Sequence, residues 1–476
     1  MARPSPAASV ALLGLAVLSL ALRLVFWSGT EVQETLRADA HHYTYLAWSL
    51  ANRGLYEDTT DPTFRAHLRW PPGYPALLAP LFRNRTQIDG AAVAQEVQVV
   101  GGSMIPVLAV LVGLRFLPGW LAGVAGLLTA CCPVMVTTPT FLSTETSFTV
   151  LLLATLLAFM RLVETPSLGR AVAVGALAGV GSLVRSDFNA IPWVVALYLW
   201  QRSPGGERRQ AALAFALVAT ALPATWEVRQ RIEVGQPVES YLARALAQGI
   251  YPGLVYGASA RGYAMMADPA FPEFSHSVTG TMAEAWRRAR ADPWPHLRWY
   301  LVDRWLTLWE FHMIQSPPIH IYPVRHGLFR PAFINPAGTD EPLAPVYWVF
   351  RGLYWIVVPL VLAGAVLTVR ARGRPPTPGR RAVELLYVIL ACHVVLHSIV
   401  IPEPRFMLPM RPILFLLALA TAADVLGRVP APATTFVPGR SAGWAIAGIL
   451  ALAGLVVVAE PAAVRAHLQS TVQDAR

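Results

Sequence analysis

Apolar stretches recur from one end of the chain to the other with short polar breaks between them. They lie near residues 8–27, 91–114, 118–137, 144–162, 171–184, 188–200, 210–226, 345–369, 382–400, 406–424 and 441–459. Most reach the roughly 17–25 residues that a helix needs to cross the hydrocarbon of a bilayer. The pattern predicts an all-α polytopic membrane protein, a bundle of about 11 transmembrane helices (11–13 within boundary error). Three units follow: residues 1–226, a large segment 227–344, and a C-terminal group of spans, 345–476. Arg3 precedes the first span as in a signal peptide, but no small-residue cleavage site follows, so the span is expected to be a retained anchor.

Two spans, 171–184 and 188–200, are too short to cross alone, and Arg185-Ser186-Asp187 stands between them. A polar break at membrane depth is tolerated only where protein or water surrounds it, so Arg185 is expected to sit recessed in a cavity. Between spans, Tyr43, Leu46, Ala47 and Leu50 keep helical spacing from Asp39 to Arg53, with Gly54 where a C-terminal cap belongs. Residues 296–312 mix Leu297, Tyr300, Leu301, Leu308 and Trp309 with Arg298, Asp303 and Arg304, the signature of an amphipathic helix lying in the interface plane. No internal repeat is evident.

Composition sharpens this picture. Of 476 residues 55% are hydrophobic and 14% charged, against about 25% charged in an ordinary soluble domain. That excludes a soluble multidomain protein and a disordered chain. Cys131, Cys132 and Cys392 are too few for a disulfide framework or a zinc ribbon. The net charge of +10 comes entirely from arginine, with no lysine. With the N-terminus in the cytoplasm, the cytoplasmic segments hold 14 arginines and the opposite short loops only Arg185 and Arg405. Arginine therefore reports topology rather than a nucleic-acid partner, and the segments 28–90 and 227–344 face outward.

Polar groups that could do chemistry gather on that outward side. They are Asp39, His41, His42 and Tyr43; the run Arg69 to Pro75 with Tyr74; Glu145 at the start of the fourth span; Arg185 with Asp187; and Glu403-Pro404-Arg405. His393 and His397 share one face of the ninth span, but no third ligand stands at fixed spacing, so a polar lining is expected and no metal is assigned.

Asp39-Ala40-His41-His42-Tyr43, Gly54-Leu55-Tyr56 and Trp70-Pro71-Pro72-Gly73-Tyr74-Pro75 together resemble the first outer loop of GT-C glycosyltransferases. Bacterial protein O-mannosyltransferase-like enzymes and lipid A aminoarabinose transferases are the nearest in pattern. Ser143-Thr144-Glu145, Leu183-Val184-Arg185 and Arg405-Phe406-Met407-Leu408-Pro409 are similar to further patterns of that group. The resemblance implies an inverting transfer of a sugar from a polyprenyl-phosphate carrier to a glycan, lipid or protein acceptor. It would take place on the outer face of a bacterial cytoplasmic membrane. It implies Asp39 as the base, Arg185 and Arg405 as phosphate ligands, and substrate contacts from Glu145, His41, His42, Tyr43, Arg69 and Tyr74. The family often has a second acid after the first; here Ala40 stands there, so no cofactor or catalytic metal is expected.

Each role has a plainer counterpart. Asp39 could cap its helix, Glu145 could serve the helix dipole, and Arg185 and Arg405 could reach for headgroups. Arg23 reads as an interfacial anchor or a contact for the donor phosphate, and Arg69–Pro75 as a rigid turn at the interface or a substrate contact. Two other functions fit the same pattern: a lipid-linked sugar flippase or transporter, and a non-catalytic envelope scaffold. The clustering of polar groups at one end of the spans, without a two-fold repeat, favours transfer over transport.

Overall fold

The computed structural model describes residues 6–29, 31–32, 36, 39–60, 70–201, 205–234, 241–254, 264–311, 324–326, 344–371 and 377–426. The expected span at 441–459 and Arg69 lie outside them. The other ten expected spans are all helical. Among the described residues seven helices are long and apolar enough to cross a membrane, or eight when one bent pair counts as a span. The protein is thus a multi-pass helical membrane protein. The only described strands are Glu31–Val32 and Val324–His326, paired antiparallel.

The first unit begins with α1 (Pro6–Ser28), α2 (Asp39–Arg53) and α3 (Gly73–Phe82). Next come α4 (Gln87–Gly102), α5 (Met104–Gly113), α6 (Gly119–Cys131), α7 (Thr144–Glu164), α8 (Leu168–Val184), α9 (Ala190–Gln201) and α10 (Gly206–Val234). Residues 118–137 do not form one straight span. Cys132 is extended and Pro133, which has no N–H to donate, restarts the helix, leaving a 61° bend. The α4–α5 helix is the centre of the bundle, with Val99, Ile105, Ala109 and Val112 almost fully enclosed. By contrast α1 turns Val10, Leu13, Val17 and Val25 outward, the apolar face expected where lipid takes the place of protein.

Small residues set the close approach of α8 and α10. A Cβ on Gly175 would come 2.8 Å from the Phe215 carbonyl oxygen, and one on Gly179 would come 3.2 Å from that of Ala219. This four-residue spacing of small side chains is how membrane helices bring their backbones together.

After the shorter helices Tyr241–Gly249 and Phe271–Phe274 come α11 (Val278–Ala291), α12 (Ala344–Arg370), α13 (Pro378–Ile399) and α14 (Arg411–Val425). The expected amphipathic helix is present over 293–308 as two short helices joined by a π turn, Trp299–Asp303. Leu297, Leu301 and Leu306 point outward, while Arg304 turns in and donates to the Ile399 and Val400 carbonyls at 2.7 and 3.0 Å. An arginine on the terminal carbonyls of α13 satisfies acceptors that the helix itself leaves open.

Candidate active site

Asp39 is the first residue of α2, and Gly54, at φ +69°, ends that helix. The positive φ explains why a glycine follows Arg53. Thr44 returns its hydroxyl to the Ala40 carbonyl at 2.7 Å. The far end of α2 is tied to α3: Asn52 donates to the Phe82 carbonyl at 2.9 Å and Trp48 to that of Arg85 at 3.0 Å. Asp39 is therefore the free end of an anchored helix, and its Oδ2 lies 3.9 Å from Arg405 Nη1. Burial pushes its carboxyl above the usual range, while Arg405 pulls the other way.

From Trp70 to Pro75 the run is more than a turn. Pro72 stands at the N-terminus of α3, and Gly73 opens that helix directly against the backbone of Leu183 and Val184. A Cβ there would overlap the Leu183 carbonyl carbon. The last residues before Arg185 thus rest on Gly73, joining two motifs 110 residues apart in sequence.

Arg185 leaves α8 in extended backbone, and a short 3₁₀ turn, Ser186–Asn189, leads into α9. Its guanidinium is 9% exposed and reaches Glu145 and Asp187, each at 3.1 Å, and the Thr144 hydroxyl at 3.1 Å. The break in the helix pair thus holds a paired arginine, recessed as expected. Arg405 extends from a 3₁₀ segment, Pro404–Met410, and pairs with Glu403 at 2.7 Å. Glu403 is buried, and burial raises its carboxyl above the ordinary range. Both guanidinium carbons lie 5.2 Å from the centroid of the Phe406 ring. Cation–π contact with one ring adds to the acid partners in holding the two like charges near each other.

The structure therefore brings Asp39, Glu145, Arg185 and Arg405 into one cluster and adds Asp187 and Glu403. The remaining expected site residues sit around it. His42 Nδ1 donates to the Asp58 carboxylate at 2.9 Å, and His41 Nε2 shares a hydrogen bond with the Thr60 hydroxyl at 3.1 Å, both partners lying in the loop that follows α2. Burial would raise the Asp58 carboxyl, but hydrogen bonds from His42 and Thr60 outweigh it and hold it low. Tyr43 packs on Trp70 and Tyr74 at 5.6 and 5.0 Å. Tyr74 is fully buried and donates to Gln98 at 2.8 Å.

Several features escaped the sequence. Arg23 is not an interfacial anchor: it is wholly enclosed and donates to the Ser19 carbonyl at 3.0 Å. Arg411 is equally enclosed, 4.5 Å from the rings of both Phe311 and Tyr354. Ser19 one helical turn before Arg23 is a signal that could have been read; nothing near Arg411 in sequence points to its aromatic slot. His393 and His397 also acquire a third neighbour, with His397 Nε2 3.1 Å from Asp187 Oδ2.

Comparison with known proteins fits the first unit. Residues 71–226 match the family model described as dolichyl-phosphate-mannose-protein mannosyltransferase, so the resemblance read from the sequence stands over that segment. It contains Glu145 and Arg185 and excludes Asp39 and Arg405. No curated protein matches the chain. Among solved structures, ArnT from Cupriavidus metallidurans bound to undecaprenyl phosphate is 15% identical, with a TM-score of 0.46 over 96% of this chain and 65% of that one. An Archaeoglobus fulgidus oligosaccharyltransferase tethered with an acceptor peptide is 11% identical, with a TM-score of 0.46 over 98% and 55%. The chain spans less than two thirds of the length of either.

Proposed function

We propose that the protein is a membrane glycosyltransferase that moves a sugar from a polyprenyl-phosphate carrier to an acceptor hydroxyl, with inversion at the anomeric carbon. The observation that carries this reading is the meeting of one end-of-helix carboxylate, Asp39, with two arginines sharing the Phe406 ring. The family match over residues 71–226 supports a lipid-phosphate donor.

In this mechanism the acceptor hydroxyl gives its proton to the Asp39 carboxylate as its oxygen bonds to the anomeric carbon. The bond from that carbon to the phosphate oxygen breaks, and the electron pair leaves with the phosphate. Arg185 and Arg405 stabilise the negative charge that builds there, and their planar forks suit phosphate oxygens. An elevated pKa makes Asp39 a stronger base than an ordinary carboxylate, and Arg405 helps keep it ionised. The arginine distribution further supports a cytoplasmic N-terminus and a site on the outer face of a bacterial cytoplasmic membrane.

The test is to incubate purified protein with a panel of polyprenyl-phosphate sugars and a membrane-extract acceptor pool, following transfer by mass spectrometry. Asp39→Asn should lower the rate by roughly 10²–10⁴-fold, the usual value of a positioned base, with the melting temperature unchanged. Transfer that survives in Asp39→Asn moves the base elsewhere. A folded protein inactive with every donor overturns the reading and favours the flippase.

A further inference from the structure

Asp187, His393 and His397 come from two elements far apart in sequence, the 3₁₀ turn after α8 and the last turns of α13. Each offers one ligand atom, and no two of these atoms are more than 4.8 Å apart. We propose that they bind a divalent transition-metal ion of the zinc class. The proposal stands on this geometry and does not require the transfer reaction.

The ring orientations fit metal ligation. His393 Nε2 lies 2.8 Å from the Phe406 carbonyl oxygen. A carbonyl can only accept, so Nε2 carries the proton and Nδ1 keeps its lone pair. A histidine whose other ring N–H is held by a backbone carbonyl is the arrangement that orients metal-binding imidazoles. His397 is fixed by its stack on Phe406, with centroids 4.6 Å apart and planes at 26°. Its Nδ1 is buried without a hydrogen-bond partner, while Nε2 faces Asp187 Oδ2 at 3.1 Å. With metal–ligand bonds of about 2.0–2.2 Å, adjacent ligand atoms stand roughly 3–3.5 Å apart. The Asp187–His397 pair is already at that separation, and side-chain shifts of about 1 Å bring in the third ligand. Arg185 takes one edge of the Asp187 carboxylate, which leaves acceptor positions for a metal, since two carboxylate oxygens offer about four.

Charge favours a dication. Among the described residues the cluster joins four acids, Asp39, Glu145, Asp187 and Glu403, to two arginines, Arg185 and Arg405, a surplus of two negative charges when all are ionised. Two imidazoles and one carboxylate select zinc, cobalt or iron over calcium or magnesium, which prefer all-oxygen sites. Three protein ligands leave open coordination positions, as at sites where a metal meets substrate or water.

The protein, purified through a histidine-free tag and stripped by chelation, should bind Co²⁺ with visible d–d absorption that Zn²⁺ abolishes. The expected stoichiometry is about one per chain. X-ray absorption at the zinc edge should report two imidazoles. His393→Ala and His397→Gln should each weaken binding by at least the roughly 100-fold that loss of a mere outer partner can cost, whereas Asp268→Asn, an acid already paired with Arg288 and Tyr251, should not. Absence of Co²⁺ and Zn²⁺ binding by folded protein overturns the proposal, as does unchanged affinity in both histidine variants. Metal binding without sugar transfer would sink the proposed function and leave this site standing; transfer by protein that binds no metal would do the reverse.

Discussion

Two clusters of arginine and acid lie in this molecule, and they are built on opposite plans. In the segment 264–311, Arg288 meets Asp268 at 2.5 Å and Glu284 at 2.6 Å, while Arg287 also reaches Glu284 at 2.6 Å. Two guanidiniums face two carboxylates, Tyr251 donates to Asp268 at 2.7 Å, and all partners lie within 40 residues of one another. In the other cluster Asp39, Glu145, Asp187, Glu403, Arg185 and Arg405 arrive from segments spread over more than 360 residues, and acids outnumber arginines. The first is neutral and closed on itself, which suits a structural staple. The second is costly to assemble and unbalanced, and such an arrangement persists where something else is to be bound.

The largest expected effect comes from breaking the unbalanced cluster at its centre. Arg185→Gln takes the guanidinium from buried Glu145 and leaves Asp187 with His397 alone; removing one partner of a buried ion pair typically costs about 3–5 kcal/mol. It should lower the melting temperature and also abolish sugar transfer, checked by thermal unfolding and the mass-spectrometric assay. Stability loss with transfer intact would show that Arg185 is structural and touches no phosphate. Next in size is Gly73→Ala. The added methyl overlaps the Leu183 backbone, and overpacking of this kind costs about 1–3 kcal/mol. The backbone it displaces leads straight into Arg185, so transfer should fall further than the stability change alone accounts for. If transfer tracks stability only, the contact between Gly73 and Leu183 does not position the arginine.

These two variants also mark what could be read from the chain. The spans were legible because apolar length is the dominant signal in a bilayer, and the short pair around Arg185 was legible because its lengths were wrong for crossing. Asp39 and Arg405 were legible as candidates from their motifs. Their partnership was not, because 366 positions separate them and nothing local encodes the meeting. The surroundings of Tyr74 were not legible either, because an aromatic in a proline-rich run looks the same whether it faces a ligand or donates to Gln98. The bend at Cys132 was hidden for a related reason: Pro133 restarts a helix as readily as it ends one.

The smallest effects are expected in the balanced cluster, and they test the comparison from its other side. Arg288→Met removes the partner of Asp268 and Glu284 and packs its stem in the place of a guanidinium lying over the Tyr251 ring at 4.6 Å. Transfer per folded molecule should be unchanged while the melting temperature falls modestly. Acid should act on this cluster in a defined direction. Hydrogen bonds from Arg287, followed by those from Arg288, hold the Glu284 carboxyl at about 2, below its ordinary value of 4.5. A carboxyl lowered on folding adds stability that is present above the unfolded pKa and lost as pH falls through the folded one. Between pH 4.5 and about 2 the wild type should therefore lose this contribution, and Glu284→Gln should flatten that part of the stability profile. Asp39 behaves in the opposite sense. Its raised pKa means that transfer, not stability, should fall first on acidification, at a pH above the ordinary carboxylate range. A protein in which transfer and the segment 264–311 titrate together would erase the distinction between the two clusters.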